Sequence, residues 1–502
     1  MSPGPRSPPP RRPALSRTRL AILLVLVALT GFITTLDNTV VNVALPTVQR
    51  ELVLSVTGLE WVATSYVLVF GALLLPGGRL GDLFGRRRVL AAGLVVFTAS
   101  SAAAALADDG ATLIAARAVQ GSGAALVIPA TLAVIAADLP ERRRAPAIGL
   151  WTAALAVALA SGPAVGGLIT QHWGWSWVFL LNVPFGALAL ALTAAVPAAR
   201  ERPPAGLLAR LDLPGVALSV LAPLLLTYGL VRGGDDSFRA APVPYCLAGA
   251  ALCVLALVGV ERRAAQPLVE PDLLRTRSLG GGALAQVLWG VGVNGVFFFT
   301  ALYLQRLLGL RPTEAGLAFL PLALALLAVT PFADRAAALA GVHRSVAAGL
   351  ALVAAGLWWV SAAGAGAGPL DLQPGLLLIG VGSALTAPLT VCAVAGVPEH
   401  RTGMASGLIS AAREISGVFG VVLVGAVLSR RETASLRSGR TPDEAFLDGY
   451  HLGLRLAAGC VLLGALVTLY ALRERTTTRP RDVRPDEWAG RGARDRDETP
   501  AD

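Results

Sequence analysis

Apolar runs of about twenty residues, each long enough to cross a hydrocarbon core of about 30 Å as a helix, recur along the chain between short segments rich in Arg, Gly and Pro. They predict helical spans near 20–45, 58–78, 88–107, 111–136, 145–169, 175–197, 213–231, 243–260, 279–304, 313–333, 345–363, 374–396, 405–428 and 450–472. A soluble fold would have to bury all of these runs. With 55% of the 502 residues hydrophobic and 15% charged, the bilayer is the natural solvent, and the expected fold class is an all-α membrane protein with 14 transmembrane helices.

Charge tests the count, because an error of one helix would swap the faces of every later loop. All 42 basic residues are arginines. With the N-terminal tail in the cytoplasm, most of them fall on cytoplasmic segments, as expected for a multi-pass protein of the cell (plasma) membrane with both termini cytoplasmic. The weak point is the external loop 429–449, which holds Arg430, Arg431, Arg437 and Arg440. Arginines strung along one membrane face fit anionic headgroups, so the net charge of +10 argues for contact with the lipid bilayer and against nucleic acid. Residues 1–19 and 473–502 are polar, and both are expected to be disordered cytoplasmic tails.

Other chemistries find little support. Cys246, Cys253, Cys392 and Cys460 fall in or beside spans, with no disulfide framework or metal spacing. His172, His343, His400 and His451 are scattered singly, which argues against a membrane hydrolase. Without lysine no Gly-x-x-x-x-Gly-Lys loop exists, so ATP is not the expected energy source. The lack of lysine also suggests a GC-rich genome and a bacterial membrane. No enzyme activity, metal or cofactor is expected.

The motifs are more specific. Between spans 2 and 3 lies Gly78-Arg79-Leu80-Gly81-Asp82-Leu83-Phe84-Gly85-Arg86-Arg87-Arg88. Span 1 carries Leu36-Asp37-Asn38-Thr39-Val40-Val41-Asn42-Val43-Ala44-Leu45-Pro46, span 4 carries Arg117-Ala118-Val119-Gln120-Gly121-Ser122-Gly123, and span 5 carries Gly149 and Gly162-Pro163-Ala164-Val165-Gly166-Gly167. Over residues 20–472 the chain resembles the major facilitator superfamily, in particular its fourteen-helix drug:proton antiporter family. Ala158 departs from the span 5 motif, which usually has Gly there. The resemblance implies the major facilitator fold: six-helix bundles at 20–197 and 279–472, joined by a linker at 198–278 that carries two extra central helices. A weaker echo of the first loop, Asp334-Arg335 with His343-Arg344, agrees with two related halves.

Asp37 lies inside a span, where an ionisable side chain costs about 3 kcal/mol, so it needs a partner or a wet cavity. It is the first candidate for proton coupling, against a permanently ionised packing role. Arg117 is its natural partner: the two lie about 9 and about 13 Å below the outer ends of their helices. A bland alternative has Arg117 bonding only backbone carbonyls. Arg413 and Glu414 lie about 14 Å from the cytoplasmic end of span 13, which makes Glu414 a second proton candidate. Gly162-Pro163 removes a backbone donor and should bend helix 5, while Gly166 and Gly167 admit a close neighbour. In the resembled antiporters this stretch is linked to export. Gly78, Asp82, Gly85 and Arg86 form the conformational latch the resemblance implies, with Asp82 and Arg86 holding the outward-facing state; a solvated topogenic loop is the alternative.

If the halves correspond, span 9 lines the cavity opposite span 1, bringing Trp289, Asn294, Phe297, Phe298, Phe299 and Tyr303. The substrate cavity is then expected to include Asp37, Trp61, Tyr66, Trp151, Asn294, Phe298 and Arg413, a surface suited to bulky lipophilic substrates and cations. The expected function is a monomeric, proton-gradient-driven antiporter that exports amphipathic small-molecule drugs or antibiotics by alternating access. A dedicated exporter of one endogenous metabolite or self-made antibiotic is the alternative.

Overall fold

The computed structural model describes residues 16–195, 212–235, 240–264, 267, 270–364, 366–394, 397–398 and 401–472. The tail 473–502, most of the tail 1–19 and linker residues 198–211 lie outside them.

Fourteen helices are long and apolar enough to cross a membrane: α1 Arg17–Glu51, α2 Val56–Phe84, α3 Arg86–Ala105, α4 Gly110–Asp138, α5 Glu141–Trp173, α6 Ser176–Ala195, α7 Leu213–Gly234, α8 Val243–Glu261, α9 Arg277–Leu307, α10 Pro312–Ala340, α11 Val342–Val360, α12 Pro369–Val394, α13 Met404–Arg437 and α14 Pro442–Ala471. An even number of crossings puts both ends of the described chain on one side, here termed the terminal face. Two expectations change at the ends. Helix α1 starts at Arg17, capped by the Ser16 side chain, so residues 17–19 belong to the helix rather than the tail. The expected loop 429–449 is mostly helix: α13 runs on to Arg437, and Thr441 caps α14 with a reciprocal bond to Glu444. Arg430, Arg431 and Arg437 thus ride on a helix, while Arg440 in the turn pairs with Asp448 at 3.1 Å.

The helices form two six-helix bundles plus a central pair. Helix α1 packs on α5 as α9 packs on α13; α4 packs on α2 and α3 as α12 packs on α10 and α11; α3 packs on α6 as α11 packs on α14. The turns repeat too. Gly85 (φ 94°, ψ 127°) joins α2 to α3, and Gly341 (φ 86°, ψ 140°) joins α10 to α11. A side chain at such a φ is strained. Gly85→Ala is therefore expected to lower stability by about 1–3 kcal/mol. Gly81→Ala, four residues earlier with open space around it, should be close to neutral in the same thermal-melting assay in detergent. Of the central pair, α7 packs on α2, α13 and α8.

The bundles meet along two seams, α2 with α13 and α5 with the first turns of α10. The second seam closes at the face opposite the termini. Gln171 at the end of α5 accepts from the Thr313 N–H of α10 at 3.3 Å, and Gln305 of α9 donates to the Val43 carbonyl of α1 at 2.9 Å. Toward the terminal face the cover is lost: from Glu141 to Leu150 of α5 only Ala147 is buried, and from Leu324 to Phe332 of α10 no residue is. The molecule is closed at the opposite face and splayed between α5 and α10 at the terminal face.

Candidate functional site

Five helices of the first bundle deliver polar side chains to one dry point. Asp37 (α1) and Arg117 (α4) are each 1% exposed, and Arg117 Nη1 donates to Asp37 Oδ2 at 2.5 Å. The other carboxylate oxygen accepts from Gln120 Nε2 at 2.9 Å and Asn182 Nδ2 at 2.6 Å. Both amides also donate to Ser101 Oγ of α3. Arg117 Nη1 reaches Gln120 Oε1 at 2.7 Å, and Arg117 Nε reaches the Val62 carbonyl of α2 at 3.4 Å. The guanidinium sits 4.4 Å from the Tyr66 ring centroid and 5.6 Å from that of Phe179; the Tyr66 hydroxyl donates to the Thr34 carbonyl.

Local sequence explains the convergence. Arg117 and Gln120 are three apart on α4, hence on one face. Helix α6 is interrupted at Leu181, and Asn182 starts its second piece, with its side chain aimed at Asp37. Gly121 and Gly123 allow the approach: a methyl on either would strike the backbone of Tyr66 on α2 or of Phe97 on α3. The glycines of the α5 motif work the same way. Methyls on Gly162 and Gly166 would strike Thr39 and the Val40 carbonyl of α1, and a methyl on Gly167 would strike the Pro312 carbonyl of α10. The helix runs unbroken through Pro163. Gly149 has open space around it, so packing gives it no role.

An ion pair in which both carboxylate oxygens accept hydrogen bonds and the guanidinium donates through Nε and Nη1 is a stable way to keep charge in a membrane. Adding a proton to Asp37 would remove the negative charge that Arg117, Gln120 and Asn182 share, while leaving one carbonyl acceptor. Gln120, Asn182 and Ser101 were not singled out in the sequence. Their signal was a polar side chain inside an apolar span, and Gln120 lay within the span 4 motif itself.

Other expected positions fall elsewhere. Tyr66 and Phe298 are each 1% exposed, the first under Arg117 and the second edge-on to Phe299 at 4.7 Å, so neither lines an open cavity. Asp37, enclosed by its own bundle, does not either. Trp61 faces Tyr228 of α7 at 6.4 Å; it packs against the central pair. Asn294 donates to the Gly290 carbonyl and lies over Gly417 of α13. Trp151 packs over Gly31 of α1, and its indole N–H has no acceptor. Trp289 is alike in lacking one, and the Arg413 guanidinium stands 5.8 Å over its ring. Arg413 is exposed about 14 Å along α13 from its terminal-face end, a position that calls for a wet cleft. Glu414 is partly buried, with its Cβ against Gly71 of α2.

The Asp82–Arg86 latch is not made here. Asp82 is exposed, and the ion pair at this turn is Arg87 with Asp138 at 2.7 Å, tying α3 to the end of α4. The resemblance assigns the latch to the opposite conformation, in which the terminal face would be shut.

The sequence matches the Major Facilitator Superfamily profile over residues 27–421. The chain belongs to the Major Facilitator Superfamily. Within this superfamily it is 38% identical over 418 residues to a cephamycin export protein of Amycolatopsis lactamdurans, covering 82% of this chain and 85% of that one. It is 34% identical over 467 residues to a puromycin resistance protein of Streptomyces alboniger, covering 90% and 91%. A multidrug resistance protein of Mycobacterium tuberculosis is 35% identical over 426 residues, covering 84% and 78%. Among solved structures, a POT family transporter superposes with TM-score 0.68 at 15% identity, covering 92% of this chain and 98% of that one. A D-xylose–proton symporter superposes with TM-score 0.63 at 16% identity, covering 90% and 98%. These two speak for the fold alone.

Proposed function

We propose that this superfamily member is a proton-coupled antiporter that exports amphipathic antibiotics or drugs across the cell membrane, with its terminal face in the cytoplasm. The observation that carries the coupling is the buried Asp37–Arg117 pair, whose bonds depend on one removable charge. In the conformation described, substrate enters from the cytoplasm between α5 and α10. Closing that cleft and parting Gly167 from Pro312 exposes the cargo outside. A proton taken up from the outside loosens the network around Asp37 and favours the return. Three relatives, named for cephamycin export, puromycin resistance and multidrug resistance, support the direction and the substrate class. Export should follow an imposed pH gradient in proteoliposomes and collapse with a protonophore.

The dedicated-exporter reading gains from one observation. The exposed charge beside Trp289 is Arg413, not a carboxylate. A cationic wall suits a carboxylate-bearing cargo better than a lipophilic cation. Arg413→Gln is expected to cut efflux of an anionic β-lactam such as cephalothin by roughly tenfold, the equivalent of one charge-assisted hydrogen bond. Ethidium efflux should be unchanged or faster. Equal losses for both probes would place Arg413 outside the site.

A further inference from the structure

Where α9 and α14 run together at the terminal face, they leave an open groove of about 520 Å³ between them. Small residues make its floor. A methyl on Gly281 of α9 would strike the Ala471 side chain at the end of α14, and a methyl on Gly280 would strike the Leu274 carbonyl of the short helical turn Pro271–Leu274, which folds back on α9. The walls are apolar and face outward: Leu274 from that turn, Leu284 of α9, and Leu466 and Val467 of α14. No lining residue comes from α5, α10 or α13, so the groove is separate from the transport cleft.

The groove is charged at one end only. Arg275 and Arg277 stand at its mouth, where α9 begins. The Arg277 guanidinium lies 3.7 Å from the Tyr470 ring centroid, and among the described residues it forms no ion pair. Arg275 meets Asp272 at 3.5 Å with both side chains well exposed, a pairing that water weakens. Leu284 is seven residues deeper along α9 than Arg277, about 10 Å and two turns, and hence on the same face. Leu466 is one turn deeper along α14 than Tyr470. From the terminal face inward the order is therefore cation, aromatic ring, apolar wall, which is the order of headgroup, glycerol and acyl chain in a phospholipid of that leaflet.

We propose that this groove binds one phospholipid with an anionic headgroup from the leaflet at the terminal face, its phosphate on Arg277 and Arg275 and an acyl chain along Leu284 and Leu466. Charge selects the headgroup, because a cationic mouth favours an anionic lipid over a zwitterionic one, and the guanidinium fork matches phosphate oxygens. Stacking on Tyr470 holds Arg277 in place beforehand, so less side-chain freedom is lost on binding. A soluble anion would meet the arginines but gain nothing from the apolar walls. The residues that follow α14 in the chain, Arg473, Glu474 and Arg475, are charged and unsuited to those walls. The site is independent of the direction and the coupling of transport.

The test is native mass spectrometry of the full-length protein in detergent, titrated with phosphatidylglycerol or with phosphatidylcholine of the same acyl chains. The wild type is expected to retain one phosphatidylglycerol at concentrations where phosphatidylcholine is lost. Arg277→Gln should weaken that retention roughly tenfold, the equivalent of one charge-assisted hydrogen bond, and Arg277→Lys should recover part of it. Leu466→Trp, which fills the groove and leaves both arginines in place, should abolish it. Arg142→Gln, at an exposed position of α5 on the same face, should change nothing. Arg277 and Leu466 are exposed as well, so these variants are expected to fold. Millimolar glycerol 3-phosphate should leave the lipid bound. Equal or absent retention of the two lipids by the wild type, equal losses in Arg277→Gln and Arg142→Gln, or full retention in Leu466→Trp overturns the proposal. Displacement by glycerol 3-phosphate overturns it too, and marks a site for soluble phosphate instead.

Discussion

Arg117→Leu is expected to cause the largest loss of any single substitution in this chain. It strands the Asp37 carboxylate among groups 0–5% exposed, removes the Nη1 bonds to Asp37 and Gln120, and takes the cation away from the Tyr66 ring. Breaking a buried pair by removing one partner costs about 3–5 kcal/mol, a large part of what holds a protein together. The measured result should be little folded protein in detergent, and no efflux from what remains. Asp37→Asn should behave differently. The neutral amide can still accept from Gln120 and Asn182, so the protein should purify with a melting temperature near that of the wild type while losing the response to a pH gradient. The double variant Asp37→Asn with Arg117→Gln should recover most of the stability lost in Arg117→Leu. If Arg117→Leu melts like the wild type, the network is not the keystone of the first bundle.

The second large effect concerns the α5–α10 seam. Gly167→Leu places a branched side chain where the Pro312 carbonyl lies, and Gly316→Val does the same to the Pro163 carbonyl. No rotamer relieves a clash at Cβ, because the obstacle is backbone. Both variants should fold, since these contacts lie between the bundles and not within one. Neither should shut the opposite face. Spin labels at Trp173 and Arg311, exposed positions flanking the Gln171–Thr313 contact, should show a longer and broader distance than in the wild type, and efflux should fall to background. Gly149→Ala, in open space, serves as the control and should transport normally. An unchanged distance in Gly167→Leu would mean that the seam closes by some other contact.

The spans were legible because about twenty consecutive apolar residues have few other solutions, and all fourteen helices lie where that pattern puts them. Helix ends were less legible. Polar residues can extend a helix beyond the hydrocarbon, as α13 does through Arg430 to Arg437, and hydropathy carries no signal for that. Within the site, Asp37 and Arg117 stood out because charge in a span is costly, and their depths agreed. Cavity residues did not stand out in the same way. An aromatic residue in a span is equally at home against a cation, a neighbouring helix or substrate, and helical position alone does not say which way a face turns. Tyr66 lies under Arg117, Trp61 against α7, and Phe298 in the core of the second bundle.

The most direct measurement is efflux of radiolabelled puromycin from proteoliposomes under an imposed pH gradient, with the wild type beside Asp37→Asn. Efflux that follows the gradient in the wild type, stops with a protonophore and is lost in the Asp37 variant is the predicted result. Gradient-driven efflux that persists at the wild-type rate in Asp37→Asn would contradict the assignment of coupling to the buried pair.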